Sequence, residues 1–129
     1  MIVGIGNDIV EISRFETIVE RESVLHKMFS EREVILGGKR PSFFAGSFAV
    51  KESVSKAFGT GIRGFRLNEI EVLRDDMGKP YVELQGRAKE LAVALGIDSI
   101  YVSISDTKQL AAAVAVAEAK ETRDGNGGN

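Results

Sequence analysis

The stretch from Pro41 to Gly59 is bounded at each end by a residue that marks the limit of a helix. Proline is favoured in the first helical turn, where its missing N–H leaves no donor unpaired, and glycine commonly follows the last turn. Between these bounds Phe44, Phe48 and Val50 supply an apolar surface. We therefore predict a helix over this stretch, and it is the longest helix expected in the chain.

The N-terminal segment carries a strand signal followed by a helix signal. Residues 1–10 are rich in β-branched side chains, and Gly4 and Gly6 allow another part of the backbone to come close, so we predict a buried strand here. Apolar residues then recur at helical spacing, which predicts a helix over residues 11–20. Arg14 and Arg21 are seven residues apart and are expected on one face of that helix.

The middle of the chain contains a helix start and a hairpin pattern. Ser30 and Glu33 have the spacing of a capping box, in which each side chain binds the backbone N–H of the other residue. A short helix is therefore expected to run to about residues 37–38. Further on, apolar residues alternate at 67–74 and 81–84 on either side of a turn at 75–80. These two segments are predicted to pair as a β-hairpin.

The C-terminal third combines one helix with strand patterns. Residues 86–95 fit a helix that Gly96 closes, and residues 99–105 alternate as in a strand with one buried face. Residues 110–119 are ambiguous, because alanine favours a helix whereas an alternating alanine and valine run also fits a buried strand; we predict a strand. The polar, glycine-rich residues 121–129 are expected to lie outside the core.

The composition limits the available chemistry. The chain has no cysteine and one histidine, His26, which excludes disulfides, thiolate zinc sites and metal sites built on two histidines. His26 lies in a weakly amphipathic run without a carboxylate at an obvious ligand spacing, so it is interpreted as a surface or packing residue. Any metal site must then use carboxylate oxygens and water, which suit Mg²⁺ or Mn²⁺.

Charge and hydropathy indicate where the protein acts. The net charge of −2 gives no overall attraction to nucleic acid or to an acidic membrane surface. The apolar start of the chain lacks basic residues and is interrupted by Asp8 before a signal peptide or a membrane span is complete. We therefore expect a cytoplasmic protein with a single domain over residues 1–120.

Glu52 and Lys56 lie one helical turn apart, on the same stripe as Phe48. An exposed ion pair between them would contribute about 0.2 to 0.5 kcal/mol. The same spacing also serves phosphoryl transfer, in which a carboxylate holds a metal ion and a lysine meets phosphate charge. Spacing alone does not decide between these roles, and the common phosphate-binding motifs do not apply. The Gly4-x-Gly6 run lacks a third glycine, and no GxxxxGK[ST] loop occurs.

Four blocks of the sequence resemble the signatures of the holo-acyl-carrier-protein synthases. Residues 5–14, IGNDIVEISR, are similar to the first signature, G-x-D-[IV]-x-x-[IV]-x-R. Residues 48–61, FAVKESVSKAFGTG, are similar to the second, FAxKEAxxKAxGTG. Residues 78–80, GKP, and residues 102–106, VSISD, follow in the family's order. The resemblance extends from about residue 2 to residue 119 and favours a functional role for Glu52 and Lys56.

The resemblance implies an α+β 4′-phosphopantetheinyl transferase fold, with mostly antiparallel sheet, one long central helix and trimers that carry active sites between subunits. It also implies Mg²⁺-dependent transfer of 4′-phosphopantetheine from coenzyme A to a serine of an acyl carrier protein, as in fatty acid biosynthesis. Asp8 and Glu52 would hold the Mg²⁺ ion, and Lys56 would stabilise or protonate the leaving phosphate. Glu52 or Asp106 would accept the serine proton through an ordered water.

The resemblance assigns further residues to binding. Arg14 and Arg21 are expected to contact the acidic carrier protein. Alternatively, these two arginines are solvated charges on a helix face. Gly59 and Gly61 could instead serve only to end a helix, and Lys39 and Arg40 could be solvated charges in a loop. The residues expected to contact coenzyme A are Lys39, Arg40, Gly59, Thr60, Gly61, Pro80, Ser103 and Ser105.

Three positions depart from the family pattern. Asp106 stands where many members have histidine, although some bacterial members also have aspartate, so no imidazole acts as the base there. Ser47 replaces an arginine often found before Phe48, which leaves one expected phosphate contact without its usual residue. Ser53 replaces an alanine, a sterically mild change.

Two alternative functions stay open: a nucleotide-binding module that lacks transfer, and a structural trimer domain of a larger synthase.

Overall fold

The computed structural model of the protein describes residues 1–61 and 63–120. The strands are β1 (Ile2–Glu11), β2 (Ile70–Arg74), β3 (Pro80–Leu84), β4 (Ser99–Asp106) and β5 (Leu110–Glu118). The helices are α1 (Ser13–Ile18), α2 (Glu22–Met28), α3 (Glu31–Gly37), α4 (Pro41–Phe58) and α5 (Gly86–Ala94). A short 3₁₀ helix, Leu67–Glu69, precedes β2.

The main sheet is antiparallel with strand order β1-β5-β4, and α4 packs across β1 and β5. The strand positions that face α4 are small, which allows a close approach. On β5 every second residue is a buried alanine: Ala111, Ala113, Ala115 and Ala117. On β1, a methyl group at Gly4 or Gly6 would lie only 2.0 Å from the carbonyl oxygen of Ala57 or Ser53, respectively. The predicted close backbone approach at the two glycines is therefore confirmed.

Aromatic side chains fill the space between α4 and the short helices α1 to α3. The ring of Phe15 lies 5.5 Å from that of Phe48 and 6.3 Å from that of Phe29, between centroids. Phe29 in turn meets Phe44 at 4.9 Å. Pairs of this kind add about 0.5 to 1.5 kcal/mol beyond the burial of their area. This cluster fixes the N-terminal half of α4.

A fully buried ion pair connects α4 to the β2–β3 hairpin. The Lys51 ammonium donates to Glu33 Oε1 at 2.8 Å, to the Leu67 carbonyl at 2.9 Å and to the Ile70 carbonyl. Glu33 also accepts the backbone N–H of Val72 at 3.1 Å and caps α3 within its capping box. Both charged side chains are 0% exposed. One pair of charges therefore joins α3, α4 and the start of the hairpin.

The face of the main sheet that points away from α4 is apolar and largely open to solvent in the described chain. Ile5, Ile9 and Tyr101 are 66%, 63% and 56% exposed. The register places Ile5 beside Val116 and Val116 beside Tyr101, so these side chains form a continuous band across the sheet. The prediction of a buried first strand is therefore wrong for its outer face, because in the described chain helices cover only one side of the sheet.

Most predicted elements are confirmed, including the long helix, the capping box, the hairpin, the last strand and the α+β class. The predicted helix over residues 11–20 extends too far: α1 ends at Ile18, and Arg21 is the N-cap of a second helix, α2. Arg14 and Arg21 therefore do not share a helix face. Residues 121–129 lie outside the described residues. In the described ranges, no helix is long and apolar enough to span a bilayer.

Candidate active site

A cleft of about 570 Å³ lies beside β1 and is lined by residues of β1, β4 and β5 and by Lys56 of α4. Its lining combines charged, polar and small apolar residues: Asn7, Asp8, Ile9, Lys56, Ser103, Ser105, Ala112, Ala113 and Val114. The structure thus brings together, from three different elements, four residues that the sequence analysis assigned to the site. They are Asp8, Lys56, Ser103 and Ser105.

The position of Lys56 is fixed by its contact with β1. Its ammonium donates to the Asn7 carbonyl at 2.8 Å and lies 3.4 Å from Asp8 Oδ1. The lysine can cross the strand here because Gly6 has no side chain: a methyl group there would lie 2.8 Å from Lys56 Cβ. Half of the Lys56 side chain is exposed, so the cation also faces the cleft.

Glu52 lies one turn before Lys56 and is only partly exposed. Burial raises the pKa of its carboxyl group, and the negative charge of Asp8 raises it further, whereas Lys56 and Arg14 oppose the shift. Within the residues that the structure describes, Glu52 forms no salt bridge, so the Glu52–Lys56 pair that the spacing allows is not formed. The Arg14 guanidinium stacks over Phe48, 4.9 Å from the ring centroid.

The chemistry of Asp8 and Glu52 suits a hard divalent cation. Their mutual repulsion contributes to the raised pKa of Glu52, and a cation held between them would relieve it. The described residues contain no group of three or more His, Cys, Asp or Glu side chains that could hold a metal ion by themselves. Mg²⁺ is commonly bound by one or two carboxylates, with substrate phosphate and water completing its shell. The two carboxylates fit that mode.

Ser103 and Ser105 lie on the exposed side of β4, and Asp106 ends the strand. The register places Ser103 beside Val114 and Ser105 beside Ala112, both of which line the cleft. Asp106 ends the strand immediately after Ser105 and is exposed. Asp106 itself is not among the residues that line the cleft in the described chain.

The glycines after α4 have left-handed backbone conformations. Gly59 is the C-cap of the helix with φ of +81°, and Gly61 has φ of +64°. Thr60 donates its hydroxyl to the Gly61 carbonyl at 2.9 Å. A methyl group at either glycine would meet no described atom within 4 Å, so backbone conformation and not crowding requires glycine here. Helix capping by Gly59 is therefore observed, and its surroundings leave room for a ligand.

Three other predicted residues, Lys39, Arg40 and Pro80, lie away from this cleft in the described chain. Lys39 is exposed, with its ammonium 3.8 Å from a carboxylate oxygen of Glu20. Arg40 donates to two carbonyls at the end of α3. Pro80 begins β3. One chain by itself therefore does not gather these residues around Asp8.

Sequence reasoning missed two basic residues that the structure connects to α4. Lys51 lies inside the second signature, yet its buried pairing with Glu33 over 18 positions has no spacing signal. Arg74 reaches back from the end of β2 and donates to the Ser47 hydroxyl at 3.1 Å, across 27 positions. The first contact forms when α3 packs on α4, and the second forms when the hairpin packs on α4.

The sequence and the fold were both compared with those of known proteins. The sequence matches the 4′-phosphopantetheinyl transferase superfamily over residues 4–115. The holo-[acyl-carrier-protein] synthase of Lachnoclostridium phytofermentans is 48% identical over 120 residues, spanning 92% of this chain and 97% of that protein. The solved holo-[acyl-carrier-protein] synthase of Neisseria meningitidis has a TM-score of 0.83 at 31% identity and covers 92% of this chain and 99% of that one. The Helicobacter pylori synthase, solved in complex with coenzyme A, has a TM-score of 0.79 at 34% identity, over 88% of this chain and 99% of that one. This chain therefore belongs to the holo-[acyl-carrier-protein] synthase family of the 4′-phosphopantetheinyl transferase superfamily.

Proposed function

We propose that this protein transfers 4′-phosphopantetheine from coenzyme A to a serine of apo acyl carrier protein, in a Mg²⁺-dependent reaction that releases adenosine 3′,5′-bisphosphate. The observation that carries the proposal is the placement of Lys56 against Asp8, with Glu52 in electrostatic range of both, beside one open cleft. Relatives named for this activity, one of them solved with coenzyme A, support the same assignment.

In this reaction the serine hydroxyl oxygen attacks the β-phosphorus of coenzyme A. A bond forms between that oxygen and phosphorus, and the bond from phosphorus to the bridging oxygen of the nucleotide breaks. Negative charge then grows on the leaving phosphate. Lys56 is the group that meets this charge, since its ammonium faces the cleft and can stabilise or protonate the departing oxygen.

Asp8 and Glu52 are the residues that would hold Mg²⁺, as their oxygen donors and their mutual repulsion indicate. When bound, the ion supplies Lewis-acid neutralisation of pyrophosphate charge. The chain's own contribution is to hold the two carboxylates together, with β1 carrying Asp8 and α4 carrying Glu52. Close backbone packing of β1 on α4 keeps their relative position constant.

The serine proton has two candidate acceptors, Glu52 and Asp106. Burial raises the pKa of the Glu52 carboxyl group above its ordinary value, which makes Glu52 a better proton acceptor than an ordinary glutamate. Asp106 is exposed at the end of β4, next to Ser105 in the sequence. We therefore assign Asp106 to orienting water or the serine, and Glu52 to accepting the proton through water.

The remaining coenzyme A contacts require more than one copy of the chain. Lys39, Arg40 and Pro80 lie away from Asp8 in one protomer, while Gly59, Thr60 and Gly61 follow α4 directly. A homotrimer with active sites between adjacent subunits would bring the two sets together. The exposed apolar band across the outer sheet face is the surface that such an assembly would cover.

The carrier protein is expected on the side of α1 and α2. Arg14 and Arg21 are both exposed there, and acidic partners are attracted by such rim charges. Arg14 also lies close enough to Glu52 to lower its pKa, so the carrier would dock beside the metal-binding carboxylates.

We place this activity in the cytoplasm, in fatty acid biosynthesis, with residues 1–120 as the transferase domain.

The decisive experiment incubates the purified protein with coenzyme A, Mg²⁺ and an apo acyl carrier protein, and follows the carrier by intact-mass spectrometry. A matched carrier in which the acceptor serine is replaced by alanine serves as the control. The expected result is the added mass of one phosphopantetheine arm on the serine-bearing carrier alone, and only when Mg²⁺ is present. No mass change on either carrier would refute the proposed function and favour a nucleotide-binding or structural domain.

A further inference from the structure

The ammonium of Lys56 has two carboxylates within reach and contacts only one of them. Lys56 follows Glu52 by four residues on α4, which is the spacing of a helical ion pair, but its side chain turns towards β1. There it donates to the Asn7 carbonyl at 2.8 Å and lies 3.4 Å from Asp8 Oδ1. In the described part of the chain, Lys56 is therefore the direct counter-ion of Asp8 and not of Glu52.

The contact between Lys56 and Asp8 is loose. Its distance of 3.4 Å exceeds the roughly 2.7 to 2.9 Å that is usual for a hydrogen bond between an ammonium and a carboxylate. The side chain of Lys56 is 51% exposed and that of Asp8 is 20% exposed. Ion pairs that water reaches contribute little to stability. The lysine can therefore leave Asp8 at little cost when a ligand offers it another negative group.

The charged groups that act on Glu52 balance one another when no ligand is bound. Asp8 is the second negative charge, whereas Lys56 and Arg14 are positive and both lower the pKa of Glu52. Arg14 acts from a greater distance, because within the described ranges it has no carboxylate oxygen within 4.0 Å. The protein thus neutralises its two metal-binding carboxylates with two cations of its own, of which Lys56 touches a carboxylate.

A divalent cation that entered this balanced group alone would leave it with two excess positive charges. A cation held by Asp8 would also lie near the Lys56 ammonium, and like charges at short distance repel. The diphosphate of coenzyme A carries one negative charge on each phosphorus at neutral pH, so it restores the balance. Its oxygens also give the ammonium an acceptor in place of Asp8.

We propose that Lys56 is an internal counter-ion of Asp8, which weakens the binding of Mg²⁺ alone and is released to the diphosphate, so that Mg²⁺ and coenzyme A bind cooperatively. This inference rests on the proposed function, since it assigns Lys56 a role before the substrate arrives in addition to its role towards the leaving phosphate. Because binding energies are linked, each ligand must raise the affinity for the other by the same factor.

The first test measures the binding of Mn²⁺ alone, as a paramagnetic substitute for Mg²⁺, from the electron paramagnetic resonance signal of the free ion. Lys56→Met removes the charge and keeps most of the apolar stem, and it should bind Mn²⁺ about 10-fold more tightly than the wild-type protein. Lys56→Arg keeps the charge and should bind Mn²⁺ as weakly as the wild type. Lys89→Met is the control, because Lys89 is exposed on α5 and does not line the cleft.

The second test measures the cooperativity. The affinity for coenzyme A is determined by isothermal titration calorimetry without metal and with saturating Mn²⁺. For the wild-type protein, Mn²⁺ should raise this affinity by a factor in the usual range for coupled ligands, about 5- to 150-fold. The factor should be smaller in Lys56→Met, by about as much as its affinity for Mn²⁺ alone has risen. Binding of Mn²⁺ to free coenzyme A is the same in every titration and cancels when the two proteins are compared. Loss of a phosphate contact alone would lower both affinities and leave the factor unchanged, which would overturn the inference.

The failures of this inference and of the proposed function are distinguishable, because the measurement with Mn²⁺ alone involves neither coenzyme A nor a carrier. If the wild-type protein modifies its carrier and Lys56→Met binds Mn²⁺ no more tightly, the counter-ion role is refuted and the proposed function stands. An equal rise in Lys56→Arg would also refute it, since charge would not be the cause. If the wild-type protein neither modifies a carrier nor binds coenzyme A, the proposed function fails and the cooperativity with it. Should Lys56→Met not fold, as judged by circular dichroism, Lys56→Gln replaces it with the same expected results.

Discussion

Replacing Lys51 by methionine should destabilise the protein strongly. Methionine is one atom shorter than lysine but keeps most of the packing beside the Phe29 ring, whose centroid lies 5.0 Å from the lysine ammonium. What disappears is the positive charge that satisfies the Glu33 carboxylate and two backbone carbonyls, all within a fully buried site. Removing one partner of a buried ion pair costs about 3 to 5 kcal/mol, because the other charge remains buried without compensation.

The assay is urea unfolding followed by circular dichroism, with the free energy of unfolding extrapolated to water. A domain of this size is stable by about 5 to 15 kcal/mol, so the expected loss is a large part of the total. It corresponds to a fall in Tm on the order of 10 to 20 °C. The control is Lys27→Met, an exposed lysine on α2, for which we expect a change within about 0.5 kcal/mol.

A double-mutant cycle with Glu33→Gln separates the ion pair from general packing. Glu33→Gln with Lys51→Met removes both charges, so the double variant should be less destabilised than the sum of the single variants, by about 1 to 3 kcal/mol. Additive losses, or a loss below about 1 kcal/mol for Lys51→Met alone, would show that the pair does not hold the hairpin on α4.

Three further predictions concern the active site. Asp8→Ala and Glu52→Ala should each abolish Mg²⁺-dependent transfer with little change in circular dichroism, and near wild-type turnover in the mass assay would remove that residue from the metal site. Arg21→Glu should raise the KM for the carrier protein and make the rate less dependent on salt, without changing the affinity for coenzyme A. Arg14→Glu should also change kcat, because the charge of Arg14 lowers the pKa of Glu52. Asp106→Asn should keep substantial kcat across the pH range, and a loss of about 10³-fold or more with intact coenzyme A binding would identify Asp106 as the general base.

The parts of the fold that sequence predicted are those governed by neighbouring residues. Pro41 and Gly59 act within one helical turn of themselves, and they delimit α4 as expected. Ser30 and Glu33 are three positions apart, and their reciprocal hydrogen bonds form. The resemblance to known signatures likewise pointed to Asp8, which the structure brings against Lys56. Local rules therefore predicted the long helix, and the short motifs predicted Asp8 as a residue of the site.

Features that depend on long-range packing were not predictable in this way. The alternation in β1 is blurred by glycines on the helix-facing side, so it did not show that Ile5 and Ile9 face outward. The helical spacing after β1 continued past the true end of α1, because apolar residues such as Val19 pack on the core without being helical. The position of Arg74 depends on how the hairpin docks on α4, which no spacing in the sequence records.

The main-chain contact between β1 and α4 also limits how this enzyme can diverge. Asp8 follows Gly6 by two residues, and Gly6 rests on the carbonyl of Ser53, the residue after Glu52. The distance between the Asp8 and Glu52 positions therefore depends on a backbone contact. A side chain at Gly6 would displace the strand, so we expect substitution at Gly6 to be as poorly tolerated in related sequences as substitution of Asp8 or Glu52.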